Sequence, residues 1–256
     1  MTTSRAAGSL YTHIQNGIAT VEFGHPASNS FPSVLLDRLT KELHSLSNND
    51  EVFVIVLKSE GEKAFCAGAS FNELVAVSNL EEGKAFFSGF ANVINAMRSC
   101  GKIIIGRIQG KAVGGGVGLI AACDYAIAKE DAAIKLSEFT IGIGPFVIEP
   151  AVTRKIGVAA TAELTLEATS WKNAYWAKEK GLYAKVVETV KELDKEVDLL
   201  ASQLASYNPQ ALTEMKKVLW KDTAHWDELL KERAQISGEL VWSEFTKVAL
   251  AKFKNK

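Results

Sequence analysis

Hydrophobic positions change their period several times along the chain. Tyr11 to Phe23 alternates apolar and polar residues about Asn16-Gly17, which predicts two short strands joined by a tight hairpin. His25 to Pro32 is turn-like, and Ser33 is placed to cap an amphipathic helix running to about Leu46. Val52 to Leu57 is a continuous apolar run of strand length, the pattern of a strand covered on both faces. Ser59 to Ser70 is small, glycine-containing and irregular. Leu80 to Arg98 predicts a long helix, and Lys102 to Ile108 a second buried strand. After Gly114-Gly115-Gly116, Val117 to Cys123 reads as a short buried helix and Tyr125 to Ala128 as a strand. Strand, helix, strand recurs without an exact repeat, so the expected core is α/β with crossover connections.

Beyond Pro150 the pattern turns helical. Segments near Ala151–Ile156, Ala159–Glu167, Lys172–Lys180, Lys191–Ser206, Pro209–Leu219 and Trp226–Phe253 have helical spacing, and Val186 and Val187 suggest one last short strand. Trp171, Trp176, Trp220, Trp226 and Trp242 are scattered through this part, serving either a local core or a subunit interface.

Composition narrows the function classes. The chain has 256 residues, which suits one main domain with a helical appendage. A formal net charge of −1 gives no electrostatic case for nucleic acid or an anionic membrane, so an anionic ligand must be held by local groups. Cys66, Cys100 and Cys123 are odd in number and embedded in apolar sequence, as buried reduced thiols are. No ligand spacing suggests a metal. Met1 to Leu10 lacks the apolar run of a signal peptide and no stretch reaches membrane-spanning length, so a cytoplasmic location is expected.

Two small-residue loops carry the candidate chemistry. Ala64-Phe65-Cys66-Ala67-Gly68-Ala69-Ser70 follows a buried strand, and Val113-Gly114-Gly115-Gly116-Val117-Gly118 opens an apolar helix. Small residues let a ligand approach the backbone, and a helix N-terminus offers unpaired N–H groups and a positive dipole end. Gly116-Val117-Gly118-Leu119-Ile120-Ala121 also fits a dinucleotide fingerprint. That motif requires a strand directly before the first glycine, and Gln109 to Val113 intervenes.

Taken together, the first loop, the glycine cluster about forty-five residues later, Cys123-Asp124, the early turn His25-Pro26-Ala27-Ser28-Asn29, and Leu136-Ser137-Glu138 with Gly142 downstream resemble the enoyl-CoA hydratase/isomerase (crotonase) superfamily. The resemblance spans essentially the whole chain, including the basic tail Lys252-Phe253-Lys254. It implies a crotonase (ClpP-like) α/β fold, a spiral of ββα repeats over residues 1–198, with a C-terminal helical region, 199–256, that builds homotrimers or hexamers. It also implies an acyl-CoA substrate, with coenzyme A as part of the substrate and no separate cofactor. The Ala69 and Gly115 N–H groups would form an oxyanion hole, with Ala27, Ala67, Gly68, Gly114 and Gly118 in the substrate-binding loops. One departure concerns the phosphates: relatives often carry a lysine where this chain has Asn72, so basic groups elsewhere, such as a neighbour's C-terminal lysines, would have to meet them.

In family hydratases two glutamates hold a water between them. Mapped by spacing, those positions are Gly118 and Glu138 here, so one acid is missing. Glu138, among Ile134, Leu136, Phe139 and Ile141, is the expected catalytic group, with burial raising its pKa. Glu149 beside Pro150 reads as a helix N-terminal charge, Asp124 as a structural anchor, and His13, His25, His44 and His225 match no catalytic position. The leading expectation is hydration of a short, branched or carboxylated 2-enoyl-CoA in fatty-acid or leucine catabolism, the motifs resembling the methylglutaconyl-CoA hydratase branch. A single carboxylate equally suits a Δ3,Δ2-enoyl-CoA isomerase, which Gly144-Pro145-Phe146 also resembles. A third reading is a non-catalytic fold that binds coenzyme A or RNA, against which the weak acidity and the Ala69, Gly115 and Glu138 set argue.

Overall fold

The computed structural model describes residues 7–254, with side chains to Lys252; the tail residues Phe253 and Lys254 and the first six residues therefore lie outside the described side chains. The predicted hairpin is β1 (Ser9–Gln15) and β2 (Ile18–Gly24), antiparallel in register Gln15 to Ile18. Asn16 and Gly17 both take positive φ, 52° and 78°, the geometry of a type I′ turn that matches strand twist. Then follow α1 (Ser33–Ser47), β3 (Val54–Ser59), β4 (Ala64–Cys66), α2 (Phe71–Ala76), α3 (Leu80–Ser99), β5 (Ile103–Ile108), β6 (Lys111–Val113), α4 (Gly115–Ala122), β7 (Tyr125–Lys129) and β8 (Ile134–Lys135). The chain ends with α5 (Glu149–Leu166), α6 (Ala174–Glu179), β9 (Lys185–Val187), α7 (Val190–Ala205), α8 (Pro209–Leu219), α9 (Trp226–Val241) and α10 (Glu244–Lys254).

Two sheets result. The larger runs β1-β2-β3-β5-β7-β9 and is parallel from β2 onward; the smaller runs β4-β6-β8, all parallel. Each of the pairs β3/β4, β5/β6 and β7/β8 sends its first strand to the large sheet and its second to the small one before a helix returns. This is the spiral of ββα turns. Gln109 is buried at the corner and braces it, its amide donating to Ser59 Oγ at 2.7 Å and the Ala64 carbonyl at 3.2 Å. The strand β4 lies in the segment that reads as irregular, and β6 and β8 carry no sequence signal of their own, because two or three residues show no measurable period.

The main core lies between the two sheets and the helices α1, α3, α4 and α5, with Phe23, Phe31 and Phe65 stacked at its centre. Helix α7 covers the outer face of the large sheet, burying Leu193, Val197 and Ala201 on Val54, Ile103 and Ile127. The boundary expected after residue 198 falls inside α7, which runs unbroken to Ala205 because its apolar stripe follows the sheet to its end. Two smaller expectations are also corrected. Ser33 does not cap α1; its N–H and hydroxyl both donate to Glu73 Oε2, at 2.8 and 2.6 Å, tying α1 to α2. The last predicted helix is two helices, because Ser243 accepts the Thr246 N–H and starts a new one.

The C-terminal helices fold back on the core. Asp124 is the buried anchor: its carboxylate accepts the Ile104 N–H at 2.8 Å and the Trp220 indole N–H at 2.6 Å, and pairs with Lys216 at 3.0 Å. Trp220 and Trp226 meet edge to face in this core, whereas Trp171 and Trp242 stay partly exposed. Helix α9 crosses α3 with backbone nearly touching, since a Cβ on Gly83 would stand 2.8 Å from the Gly238 carbonyl oxygen. No described helix is long and apolar enough to cross a membrane.

Candidate active site

Three adjacent parallel strands of the small sheet end at one place. Beyond β4 comes Ala67-Gly68-Ala69, beyond β6 comes Gly114, and beyond β8 come Ser137 and Glu138. The carboxyl ends of parallel strands are where open α/β sheets place ligands, and here they line one cavity of about 190 Å³.

Each loop leaves one N–H unused. Ala69 sits in a bridge with Phe31 that uses the Gly68 carbonyl, at 2.8 Å from Phe31 N, and the Ser70 N–H, at 2.9 Å from the Phe31 carbonyl. The Ala69 N–H therefore points to the opposite side, where no described residue accepts it. Gly115 is the first residue of α4, so its N–H has no intrahelical acceptor, and none is supplied by another described residue. The loops abut: a Cβ on Gly68, whose φ is +88°, would lie 3.0 Å from the Val113 carbonyl oxygen and 3.5 Å from Gly115 N. Two unused donors on the wall of a largely apolar pocket suit an oxygen that gains negative charge.

Glu138 opens a 3-10 turn, Glu138–Ile141, closed by Gly142. The residue is half-buried, but its carboxylate is turned inward and Oε2 is buried without a hydrogen-bond partner. Its other oxygen lies against Gly114, where a Cβ would stand 2.8 Å from Oε1. Gly114 also has φ 52° and ψ −119°, a conformation hostile to side chains, so glycine is required twice over. Desolvation pushes the Glu138 carboxyl up to about 7, with the Glu138 and Ser137 N–H groups offsetting part of the rise. A carboxylate poised near neutrality can both take and return a proton.

The rest of the wall is apolar: Leu74, Phe86, Phe87, Phe90, Phe146 and Ile148 are its bulk. Phe90 lies flat against Gly115, where a Cβ would meet its ring at 2.3 Å. The cavity joins an open groove through Ala67 and Val113. That groove, about 630 Å³, is bordered by Ser28, Lys63, Lys111, Lys129 and Trp171, with Glu62 and Asp131 at its rim. Lys111 and Lys135 place their ammonium groups 5.1 and 4.7 Å from the Trp171 ring centroid.

The structure thus gathers Ala67, Gly68, Ala69, Gly114, Gly115 and Glu138 on one cavity. It does not bring two other expected residues there. Gly118, one turn beyond Gly115 on α4, is buried against Ile94 and against Ile148, which takes the wall in its place, and Ala27 is exposed on the turn beside Ser28, which reaches the groove instead. Gly116 packs on Cys66, 2.5 Å from a Cβ to its carbonyl oxygen, so the glycines of the dinucleotide-like pattern face protein. Glu149 does not line the cavity; it accepts the Thr153 hydroxyl at 2.6 Å and faces Arg233. Phe86, Phe87, Phe90 and Ser237 line the site unannounced, because a helical stripe facing a cavity looks like one facing a core. Among the described residues no group of three or more His, Cys, Asp or Glu side chains is close enough to hold a metal ion.

A spiral of ββα turns thus carries two unused backbone donors and a buried carboxylate on one cavity. A model of the enoyl-CoA hydratase/isomerase family matches residues 13–254, and the chain belongs to that family, within the crotonase superfamily. It is 33% identical over 194 residues, 70% of this chain and 68% of the relative, to a peroxisomal Delta(3,5)-Delta(2,4)-dienoyl-CoA isomerase of Arabidopsis thaliana. It is 29% identical over 243 residues, 93% of each chain, to a probable enoyl-CoA hydratase of Bacillus subtilis. Among solved structures, enoyl-CoA hydratase from Bacillus halodurans superposes with a TM-score of 0.87 at 22% identity, covering 95% of this chain and 99% of that one, which shows the shared fold.

Proposed function

We propose that this enzyme moves a double bond within an enoyl-CoA thioester by proton transfer through Glu138. The observation that carries the reading is the cavity's single carboxylate: Glu138 lines it, while the position of a second acid is Gly118, sealed behind Ile148. Hydration across a double bond needs a water held and deprotonated on one side and a proton delivered on the other. A 1,3-shift needs one base that works twice.

In the proposed step the thioester carbonyl oxygen accepts hydrogen bonds from the Ala69 and Gly115 N–H groups. Ionised Glu138 takes a proton from C2 of a 3-enoyl thioester, and the electron pair moves through the C2–C3 bond and the carbonyl to give a dienolate. The same carboxyl, now neutral, returns the proton at C4 and leaves the 2-enoyl product. Each aimed donor would contribute about 3–4 kcal/mol toward the barrier. The lysine-bordered groove takes the nucleotide end of coenzyme A, with Lys63 and Lys111 supplying the charge that Asn72 does not.

Hydration is the second reading, favoured by the name of the Bacillus subtilis relative, which spans nearly the whole chain. Incubation with 3-enoyl and 2-enoyl thioesters in ¹⁸O-labelled, deuterated water separates the two. A shifted double bond with no ¹⁸O supports isomerisation, and low deuterium at C4 shows that Glu138 returns the proton it took; ¹⁸O entering the product establishes hydration and sinks the first reading. Self-association also belongs to the proposal. Val158 and Leu166 on α5 and Met215 and Val218 on α8 are exposed, and the two helices adjoin where Arg154 bonds the Leu219 carbonyl. A homotrimer, or two stacked as a hexamer, would cover them; a monomer in light scattering would count against it.

A further inference from the structure

We infer that the acyl cavity accepts only uncharged chains and rejects thioesters whose acyl group ends in a carboxylate, an inference that rests on the thioester reading above. Beside Glu138, the only polar side chains on the cavity wall among the described residues are Ser137 and Ser237. The Ser237 hydroxyl is already spent on its own helix, donating to the Arg233 carbonyl at 3.1 Å. Among the described residues no lysine, arginine or histidine lines the cavity. The remaining side-chain surface is mainly phenyl and branched aliphatic, contributed by α2, α3 and the 141–148 segment.

A carboxylate brought into such a space loses its water and finds no cation, and at most the Ser137 hydroxyl as a side-chain donor, which is strongly unfavourable. The one charge already there, Glu138, has the same sign and would repel it. Arg233 stands one turn of α9 before the lining residue Ser237. It does not serve: Arg233 lies outside the cavity and faces Glu149, the residue after Ile148, at 4.0 Å. Ile148 is thus a specificity residue with two consequences, closing the position of a second acid and walling the cavity from the Arg233–Glu149 pair. The carboxylated substrates that the motif resemblance suggests are disfavoured by this lining, and neutral straight or branched chains fit it.

The test uses saturated thioesters, which bind without turning over, so that binding is read apart from chemistry. Glutaryl-CoA and 5-methylhexanoyl-CoA have nearly the same shape, a terminal carboxylate replacing an isopropyl group. Titration calorimetry of the full-length protein at pH 8, with free coenzyme A as reference, is expected to give a Kd for 5-methylhexanoyl-CoA at least about tenfold below that of glutaryl-CoA, with glutaryl-CoA no tighter than coenzyme A. Equal or tighter binding of glutaryl-CoA overturns the inference while leaving the thioester reading intact. If neither thioester binds more tightly than free coenzyme A, the thioester reading fails and the inference falls with it.

Discussion

Ile148 occupies the space that a side chain at Gly118 would need: a Cβ on Gly118 would lie 2.4 Å from Ile148 Cγ2 and 2.7 Å from its Cβ. The two residues form one unit, since Gly118 cannot gain a side chain while Ile148 keeps its own. Gly118→Glu by itself forces a charged side chain into a packed wall and is expected to destabilise the fold by at least about 1–3 kcal/mol from overpacking alone. Gly118→Glu with Ile148→Gly removes the obstruction and lets a second carboxylate reach the cavity. The double variant should gain hydratase activity on a neutral 2-enoyl thioester relative to wild type, measured as ¹⁸O incorporation. A soluble, folded double variant with no gain would show that something other than the missing acid limits hydration.

Glu138 should govern the pH dependence in two independent ways. With its carboxyl near 7, kcat/KM is expected to rise with pH through that value as the base ionises, and Glu138→Gln should lower kcat by about 10²–10⁴-fold. Stability runs the other way. The folded-state value lies above the unfolded 4.5, so the folded protein holds the extra proton between 4.5 and 7 and loses stability as pH rises across that window, by an order of about 3 kcal/mol. Glu138→Gln removes that loss. Melting curves at pH 5 and pH 8 should therefore show the variant gaining on wild type at the higher pH; parallel curves would mean the carboxylate is solvated.

Much of this site was legible in the chain, and the residues show why the remainder was not. The Ala67-Gly68-Ala69 and Gly114-Gly115 loops announce themselves because few side chains tolerate their backbone, and Glu138 because a lone acid in an apolar stretch stands out. The strands β4, β6 and β8 that bring the three together are two or three residues long and leave no period. Gly118 lies off the cavity wall for a different reason. Its neighbour Ile148 is thirty positions away, and only the fold shows that the missing side chain was replaced by packing rather than by an opening. Phe90 and Ser237 were hidden similarly, since what they face is decided by how α3 and α9 cross at Gly83 and Gly238.

The Gly115 N–H can be removed without disturbing the helix it begins. Proline is tolerated at the first position of a helix, where its missing N–H has no intrahelical partner. Phe90 stands in the way of any side chain there, so the comparison needs a matched background. Gly115→Pro with Phe90→Ala should fall about 10²–10³-fold in kcat below Gly115→Ala with Phe90→Ala, with similar circular dichroism and melting temperature. Equal rates in the two double variants would show that the Gly115 N–H does not hold the developing oxyanion.

The Asp124–Lys216 pair is the joint between core and C-terminal helices, nearly fully buried, and its loss should be structural rather than chemical. Asp124→Ala leaves the buried Lys216 ammonium with the Lys102 carbonyl but no counter-charge, and the Ile104 and Trp220 donors without this acceptor, and is expected to cost about 3–5 kcal/mol in chemical denaturation. Protein that remains folded should keep a near-normal kcat, because the pair does not line the cavity. A large fall in kcat at unchanged stability would give Asp124 a part in catalysis.

The groove lysines should act on the nucleotide and not on the chemistry. Lys63 and Lys111 border the groove that continues from the acyl cavity past Ala67 and Val113, so a CoA thioester seated in the cavity would extend its phosphates toward them. Alanine at both positions is expected to raise KM for CoA thioesters by about tenfold at low salt, with less effect as ionic strength screens the charges. kcat should hold, because binding that is equal in ground and transition states changes KM alone. The control is an N-acetylcysteamine thioester, which has the reacting acyl group and no nucleotide. Its kcat/KM should be the same in wild type and variant. A fall on the truncated substrate as well would mean that the lysines shape the cavity itself, and the assignment of the groove to the nucleotide would have to be abandoned.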